Sequence, residues 1–238
     1  MIGAYAGLLV LYGNYWRFLN PKFKWLTGAT AGMLIVVGMI ATFKPNKQPS
    51  YFRIFMFLIL LRILFLANPG ISLIQQTGSW PCIESPFIGE PRVTMNGLDY
   101  LRINLAELYV LCEKPEPQKM AGRYVVRGTV KRSEPLDRSG QFAIVRRAVF
   151  CCLADSVGIG FRVRYDRLDE LADGQWVEVY GTLDNLSQEL PEPGLHITEM
   201  PITLLSDWHI LAPARVVPIE EPEVPYIFEI REAEPYAY

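Results

Sequence analysis

The densest chemistry in the sequence is one heptapeptide, Phe150-Cys151-Cys152-Leu153-Ala154-Asp155-Ser156. It sets two thiols side by side with a carboxylate three residues further on. Thiolates select soft cations, and an aspartate oxygen adds a third donor. Cys151, Cys152 and Asp155 are therefore the candidate metal ligands, Zn(II) or Cu(I) the cofactor they would take, and His196 or His209 further donors. A second reading stands beside this one: one cysteine is buried as a small hydrophobe and its neighbour is incidental. On a β-strand, adjacent residues point to opposite faces, so both thiols reach one ion only if a bulge re-aims one of them. Cys82 and Cys112 flank a linker and a helix and would pair only on an oxidising side of a membrane.

Other chemistry is sparse. The chain has no Gly-rich phosphate loop, no nucleophile elbow and no HExxH, and no nucleophile stands beside a base, so the expectation is a protein that is not an enzyme. Asp166, Asp169, Glu170 and Asp173 read as a solvated helix face and its ends. Arg146, Arg147, Arg162 and Arg164 fall on predicted strands as one solvated face. A net charge of −2 argues against a nucleic-acid partner.

That charge is unevenly spread. Residues 1–73 carry seven Lys and Arg and no Asp or Glu, whereas residues 74–238 carry 16 basic and all 25 acidic residues, a net −9. A greasy, basic third precedes a polar, acidic remainder, which places the first part in a lipid bilayer. Trp25 to Phe43 is 19 uncharged residues with Lys22, Lys24 and Lys44 at its flanks, the pattern of a membrane span. Residues 1–19 read as a weaker span, with a signal peptide as the alternative, and Ile54 to Leu73 as a third, interrupted by Arg62. Gly28 and Gly32 form a small-xxx-small pair that admits a second helix, so Gly28, Gly32 and Arg62 are the candidate contacts to a membrane partner; the alternatives are glycines of the kind common in membrane helices and an Arg62 that snorkels out of a tilted helix. Each of the first two loops carries three basic residues, so the positive-inside rule leaves orientation tied. If the second loop is cytoplasmic, the polar domain lies outside the inner membrane.

The remainder must position the thiols. Residues 74–118 read as a Gly/Pro/Ser-rich linker and a helix over Leu98–Cys112, capped by Asn96 or Asp99. From residue 122 the apolar period changes to two. Strands are expected at 122–132, 141–152 and 157–165, then a helix at 166–172 capped by Asp166, then strands at 175–183 and 195–205. Three strands, a helix and two strands is the order of an OB-like β-barrel, drawn over residues 119–212, with a β-sandwich as the alternative. Residues 213–238 form an acidic, Pro-rich tail, a candidate ligand segment for another protein. The fold class is thus two or three N-terminal transmembrane helices followed by a small OB-like barrel.

The Phe150–Ser156 block with Gly158 and Gly160 resembles YcgQ-like bacterial membrane proteins. So do Gly174-Gln175-Trp176-Val177-Glu178-Val179 with Gly181-Thr182-Leu183, Asp207-Trp208, and Gly13-Asn14-Tyr15 through Asn20-Pro21-Lys22-Phe23. The resemblance covers nearly the whole chain. It implies a multi-pass protein of the cell membrane whose companion is a larger permease, and it implies no reaction or substrate. Some relatives carry a His-rich loop after the second span. Here that loop is Phe43-Lys-Pro-Asn-Lys-Gln-Pro-Ser50, which weakens a metal-delivery role. Of the two thiols, Cys152 is the better match to the shared motif. The resulting expectation is an accessory, non-catalytic subunit of a membrane transport complex. The alternatives are a tethered metal-binding or redox module, and an anchored assembly factor that binds another protein.

Overall fold

The computed structural model describes residues 2–11, 15–43, 90–115, 117–185 and 203–238. The chain divides into two units: Met1–Tyr15 with Lys22–Ile83, and Trp16–Pro21 with Glu84–Tyr238.

In the first unit, α1 (Ile2–Leu11) and α2 (Lys24–Phe43) pack together. Among the described residues, one helix is long and apolar enough to cross a membrane, Pro21–Ile40, with a mean hydropathy of 1.5. Twenty helical residues reach about 30 Å, the thickness of a hydrocarbon core. Its apolar side chains Trp25, Leu26, Ile35, Val36, Met39 and Ile40 are exposed. The span expected over residues 1–19 is not one α-helix throughout: among the described residues α1 covers Ile2–Leu11, and Tyr15–Arg17 is a 3-10 turn. The candidate span at 54–73, with Arg62, lies outside the described residues. Small residues do bring the two helices close, chiefly through Gly3. A Cβ there would stand 2.9 Å from the Ala31 carbonyl oxygen, and Ala31 is buried. A Cβ added at Gly28 would stand 3.9 Å from Val10 Cγ1, an ordinary contact, and one added at Gly32 would meet open space.

The second unit is a barrel with additions. A hairpin of β1 (Arg92–Met95) and β2 (Leu98–Arg102) turns on Asn96-Gly97, both with positive φ. That is the backbone a two-residue hairpin turn requires. Next come α3 (Leu105–Glu113), α4 (Pro117–Met120), β3 (Arg123–Lys131), α5 (Glu134–Arg138), β4 (Gln141–Ala148) and β5 (Val157–Arg164). The strands end with β6 (Trp176–Asn185) and β7 (Thr203–Pro218). The order β3-β4-β5-β7-β6 returns to β3, closing a five-stranded mixed barrel in which only β5–β7 is parallel. This is the strand order of an OB-like barrel. Phe142, Ile144, Phe161, Val163, Val177, Val179 and Leu211 fill it, and α3 adds Leu105 and Leu108. Burying each such side chain is worth ~1.5–3 kcal/mol.

Several sequence expectations are corrected. Residues 98–102 form β2, paired in parallel with β3, so the helix expected over Leu98–Cys112 starts at Leu105. Its cap is Asn104, not Asn96 or Asp99. The Asn104 side chain accepts from the Ala106 and Glu107 amides, and Glu107 reaches back to the Asn104 amide. The helix expected at 166–172 is a single 3-10 turn, Leu168–Glu170, and Asp166 does not cap it. Packing against the barrel core falls instead to α3, which precedes the first barrel strand. β4 ends at Ala148, four residues before Cys152. The barrel boundary drawn at 212 falls inside β7, which continues to Pro218. Most of the strand expected at 195–205 lies outside the described residues.

The acidic tail is folded onto the barrel rather than standing free as a ligand segment. Asn104 Nδ2 donates to the Glu229 and Ala237 carbonyls at 3.1 and 2.6 Å. Glu107 Oε1 accepts from the Arg231 and Ala237 amides at 2.8 and 2.9 Å. The buried Arg146 donates to the Pro225 and Val224 carbonyls at 3.1 and 3.0 Å, and the Tyr238 hydroxyl donates to Glu178 at 2.6 Å.

Two predictions follow from this packing. Gly181 sits at a register shift between β6 and β7, where a Cβ would stand 2.5 Å from the Ala212 carbonyl oxygen. Gly181→Ala is expected to lower stability by about 1–3 kcal/mol, read as a fall in Tm of the detergent-solubilised chain. Burial pushes the Glu107 carboxyl from 4.5 up to about 8, against the pull of the three amides that donate to it. A raised carboxyl pKa gives stability that is full below the unfolded value and is lost as the pH climbs through the folded one. Tm is expected to fall between pH 4.5 and about 8, and Glu107→Gln to flatten that slope. Equal slopes in the two proteins would refute the assignment.

Candidate functional site

Beyond Ala148 the chain leaves the barrel and turns. Cys152 is extended, with φ −151 and ψ 170, and Leu153–Asp155 follows as a 3-10 turn. That turn swings Asp155 back over the residues before it. Its Oδ1 accepts from the Phe150 and Cys152 amides at 3.3 and 3.2 Å, and its Oδ2 from the Cys151 amide at 2.8 Å. The two sulfurs and a carboxylate oxygen consequently lie within 4.8 Å of one another. Strand geometry would have sent the thiols to opposite faces. No bulge is needed to reunite them, because this segment is not a strand.

Two distant segments hold the turn. From Trp16–Pro21, the Asn20 amide donates to the Cys151 carbonyl at 3.0 Å, and the Leu153 amide donates to the Phe18 carbonyl at 2.9 Å. Asn20 itself is buried, and its Nδ2 is shared among the carbonyls of Val149, Phe150 and Phe228 at 3.1, 3.1 and 3.3 Å. From the tail, the Ile227 carbonyl accepts from the Val149 amide at 2.9 Å, and the Ile227 amide donates to Arg147 at 2.8 Å. Trp16 meets Tyr226 edge to face at 5.8 Å. Leu153 and Ala154 stay exposed, and Cys151, Cys152 and Asp155 are half-buried. The site is thus hydrogen-bonded along its backbone and flanked by exposed residues.

Burial pushes the Cys151 thiol up to about 12, aided by its hydrogen bonds with Asp155 and Cys152. A thiol in that state is not an activated nucleophile at neutral pH. It can still serve a cation that displaces the proton. Two sulfurs and one oxygen give three donors, which leaves the fourth position of a tetrahedral ion open.

The other sequence candidates stand elsewhere. His209 lies buried on β7, its amide donating to Ser206 Oγ at 3.3 Å and its pKa lowered by burial, and it is not among the three grouped donors. His196, Cys82 and Arg62 lie outside the described residues. Cys112 packs against the barrel core from α3, its thiol pushed up to about 12 by burial. The strand arginines do not form one solvated face: Arg146 and Arg162 are buried, Arg147 lies over Tyr226, and the exposed Arg164 stands 4.0 Å from Asp184. Sequence reasoning missed Asn20, whose Asn-Pro context reads only as a helix end. It also missed the Asn104-x-x-Glu107 capping signature, which was visible. Nothing in the sequence pairs Glu178 with Tyr238, sixty residues away.

A family profile described as the DUF1980 C-terminal domain matches residues 85–229, more than half of the chain and the whole of the thiol turn. The chain belongs to this family. No curated protein matches it. Among solved structures, the DUF1980 chain is similar to an aspartyl-tRNA synthetase from Leishmania major Friedlin, with 15% identity over 66% of this chain and 25% of that one. The TM-score is 0.28, too low to carry an argument. The barrel assignment rests on strand order instead.

Asn20→Ala would leave three carbonyls of the turn and tail short of a donor. A loss of about 1–3 kcal/mol is expected. Faster labelling of Cys151 and Cys152 by a maleimide should accompany it, and an unchanged labelling rate would mean that Asn20 does not hold the turn.

Proposed function

We propose that this DUF1980 protein is a membrane-anchored, non-catalytic accessory subunit of a permease complex, with its barrel at the outer surface of the cell membrane. The observation that carries the reading is α2. An apolar helix of twenty residues whose Trp25, Ile35, Val36, Met39 and Ile40 are exposed is unfavourable in water and stable in lipid. Apolar surface of this extent marks a membrane or protein contact. The resemblance to YcgQ-like proteins supplies the partner class, a larger multi-pass permease. In this reading residues 54–73 cross as well, and Arg62 meets a polar group of that partner, since a mid-span arginine is costly against lipid and is stabilised against protein or water.

The barrel fits a docking body. Arg146 is directed at the tail carbonyls, and Arg127 at Glu178 and the face of Tyr238, so these cations hold the domain together rather than a phosphate backbone. That supports a protein partner over a nucleic acid.

The test is a mild-detergent pull-down of the tagged chain from its native membrane. The chain is expected to stay with the membrane through an alkaline wash and to bring down one multi-pass protein in stoichiometric amount. Arg62→Leu should reduce that recovery. Release by the wash, or recovery of the chain alone, would overturn the reading.

A further inference from the structure

We infer that Cys151, Cys152 and Asp155 form a binding site for a single Zn(II) ion, with the fourth coordination position left to water or to a partner's side chain. The inference stands on the turn itself and holds whether or not the chain serves a permease.

Three observations carry it. The donor atoms already lie within 4.8 Å of one another, so a cation can draw them together without refolding the segment. The backbone beneath them is fixed from both sides. Asn20 and Phe18 hold it from one segment, Ile227 from another, and three amides fix the Asp155 carboxylate. Preorganised ligands lose little freedom on binding. Lastly, the donors are half-buried beside the exposed Leu153 and Ala154, so an ion has a path in and out.

The donor set selects the ion. Two thiolates favour thiophilic cations, and a carboxylate as third donor favours Zn(II) over Cu(I), which suits an all-sulfur site. Asp155 Oδ1 takes two amide donors and Oδ2 takes one, so Oδ2 is the oxygen better placed to bind the ion once the Cys151 thiol proton has left. Binding makes two Zn–S bonds and one Zn–O bond and releases the two thiol protons to water, with no change of oxidation state. Structural zinc sites close all four positions with protein ligands. Three ligands and an open position are the arrangement of a site whose ion exchanges or meets another molecule.

The test uses the full chain in mild detergent, reduced and kept free of oxygen. It is titrated with Zn(II) against a chromophoric chelator, and separately with Co(II). One equivalent of Zn(II) is expected, and Co(II) should give the near-ultraviolet charge-transfer band that cobalt–thiolate bonds produce. Cys151→Ser and Cys152→Ser should each abolish the band while the melting curve is kept. Asp155→Asn should weaken Zn(II) binding on the order of tenfold or more, as loss of a direct ligand requires. If a variant unfolds, the wild-type cobalt spectrum decides alone. Absence of the band in the wild type would overturn the site, as would a full equivalent of Zn(II) retained by the double serine variant. Binding of Cu(I) without Zn(II) would overturn the three-donor assignment.

Discussion

The end of β4 imposes the constraint on which the second unit depends. When the strand stops at Ala148, the chain leaves the ladder, and the polar backbone of Val149, Phe150 and Cys151 must be satisfied elsewhere. A buried carbonyl without a donor costs about 1–3 kcal/mol. The solution is a junction of three segments remote in sequence. Asn20 supplies one side-chain amide to carbonyls of the turn and of the tail, and its own backbone amide to Cys151. Ile227 supplies the reciprocal pair to Val149 and Arg147. Asp155 takes up the amides that remain. The thiols are thereby fixed as a consequence of ending a barrel strand: their positions follow from backbone hydrogen bonding, and the side chains ride on it.

How much of this was legible follows from the range of each signal. β6 announces itself by alternation of buried and part-exposed residues, while β4 and β5 are buried almost throughout and read as apolar runs; β3, β5 and β6 lie where the sequence places them, and β4 begins where expected but stops at Ala148. Local chemistry was legible too: Asn96-Gly97 marks a hairpin and Asn104-x-x-Glu107 a helix start. Both were overridden by the leucine spacing from Leu98 to Leu108, which has helical period although its first half pairs with β3. The Cys151, Cys152 and Asp155 grouping was legible as composition, while its geometry was not. An assumed strand through residue 152 separates the thiols, whereas the strand stops at Ala148 and the 3-10 turn after Cys152 brings Asp155 back to them. The tail was misread because its acidic, Pro-rich composition suggests solvent exposure. Its anchors are backbone carbonyls and amides, which composition does not reveal.

Those anchors explain why this acidic domain buries charged side chains. Glu107 and Glu178 are the same residue type in contrasting roles. Glu107 accepts only from neutral backbone amides, and its desolvation prevails, so the carboxyl is raised. Burial acts on Glu178 as well. Hydrogen bonds from Tyr180, Tyr238 and Arg127, together with the Arg127 charge, outweigh it and hold the carboxyl below its ordinary value. One contact therefore fastens the tail through a group whose ionisation is opposed, and the other through a group whose ionisation is supported. The far end, at Tyr238, is fastened by charge, with Arg127 lying 4.1 Å over its ring. Arg231, and Ala237 next to that end, are fastened by a carboxyl that burial drives toward neutrality. A tail held by both kinds of contact resists a change of pH that would release either one alone, because conditions that weaken the first leave the second in place.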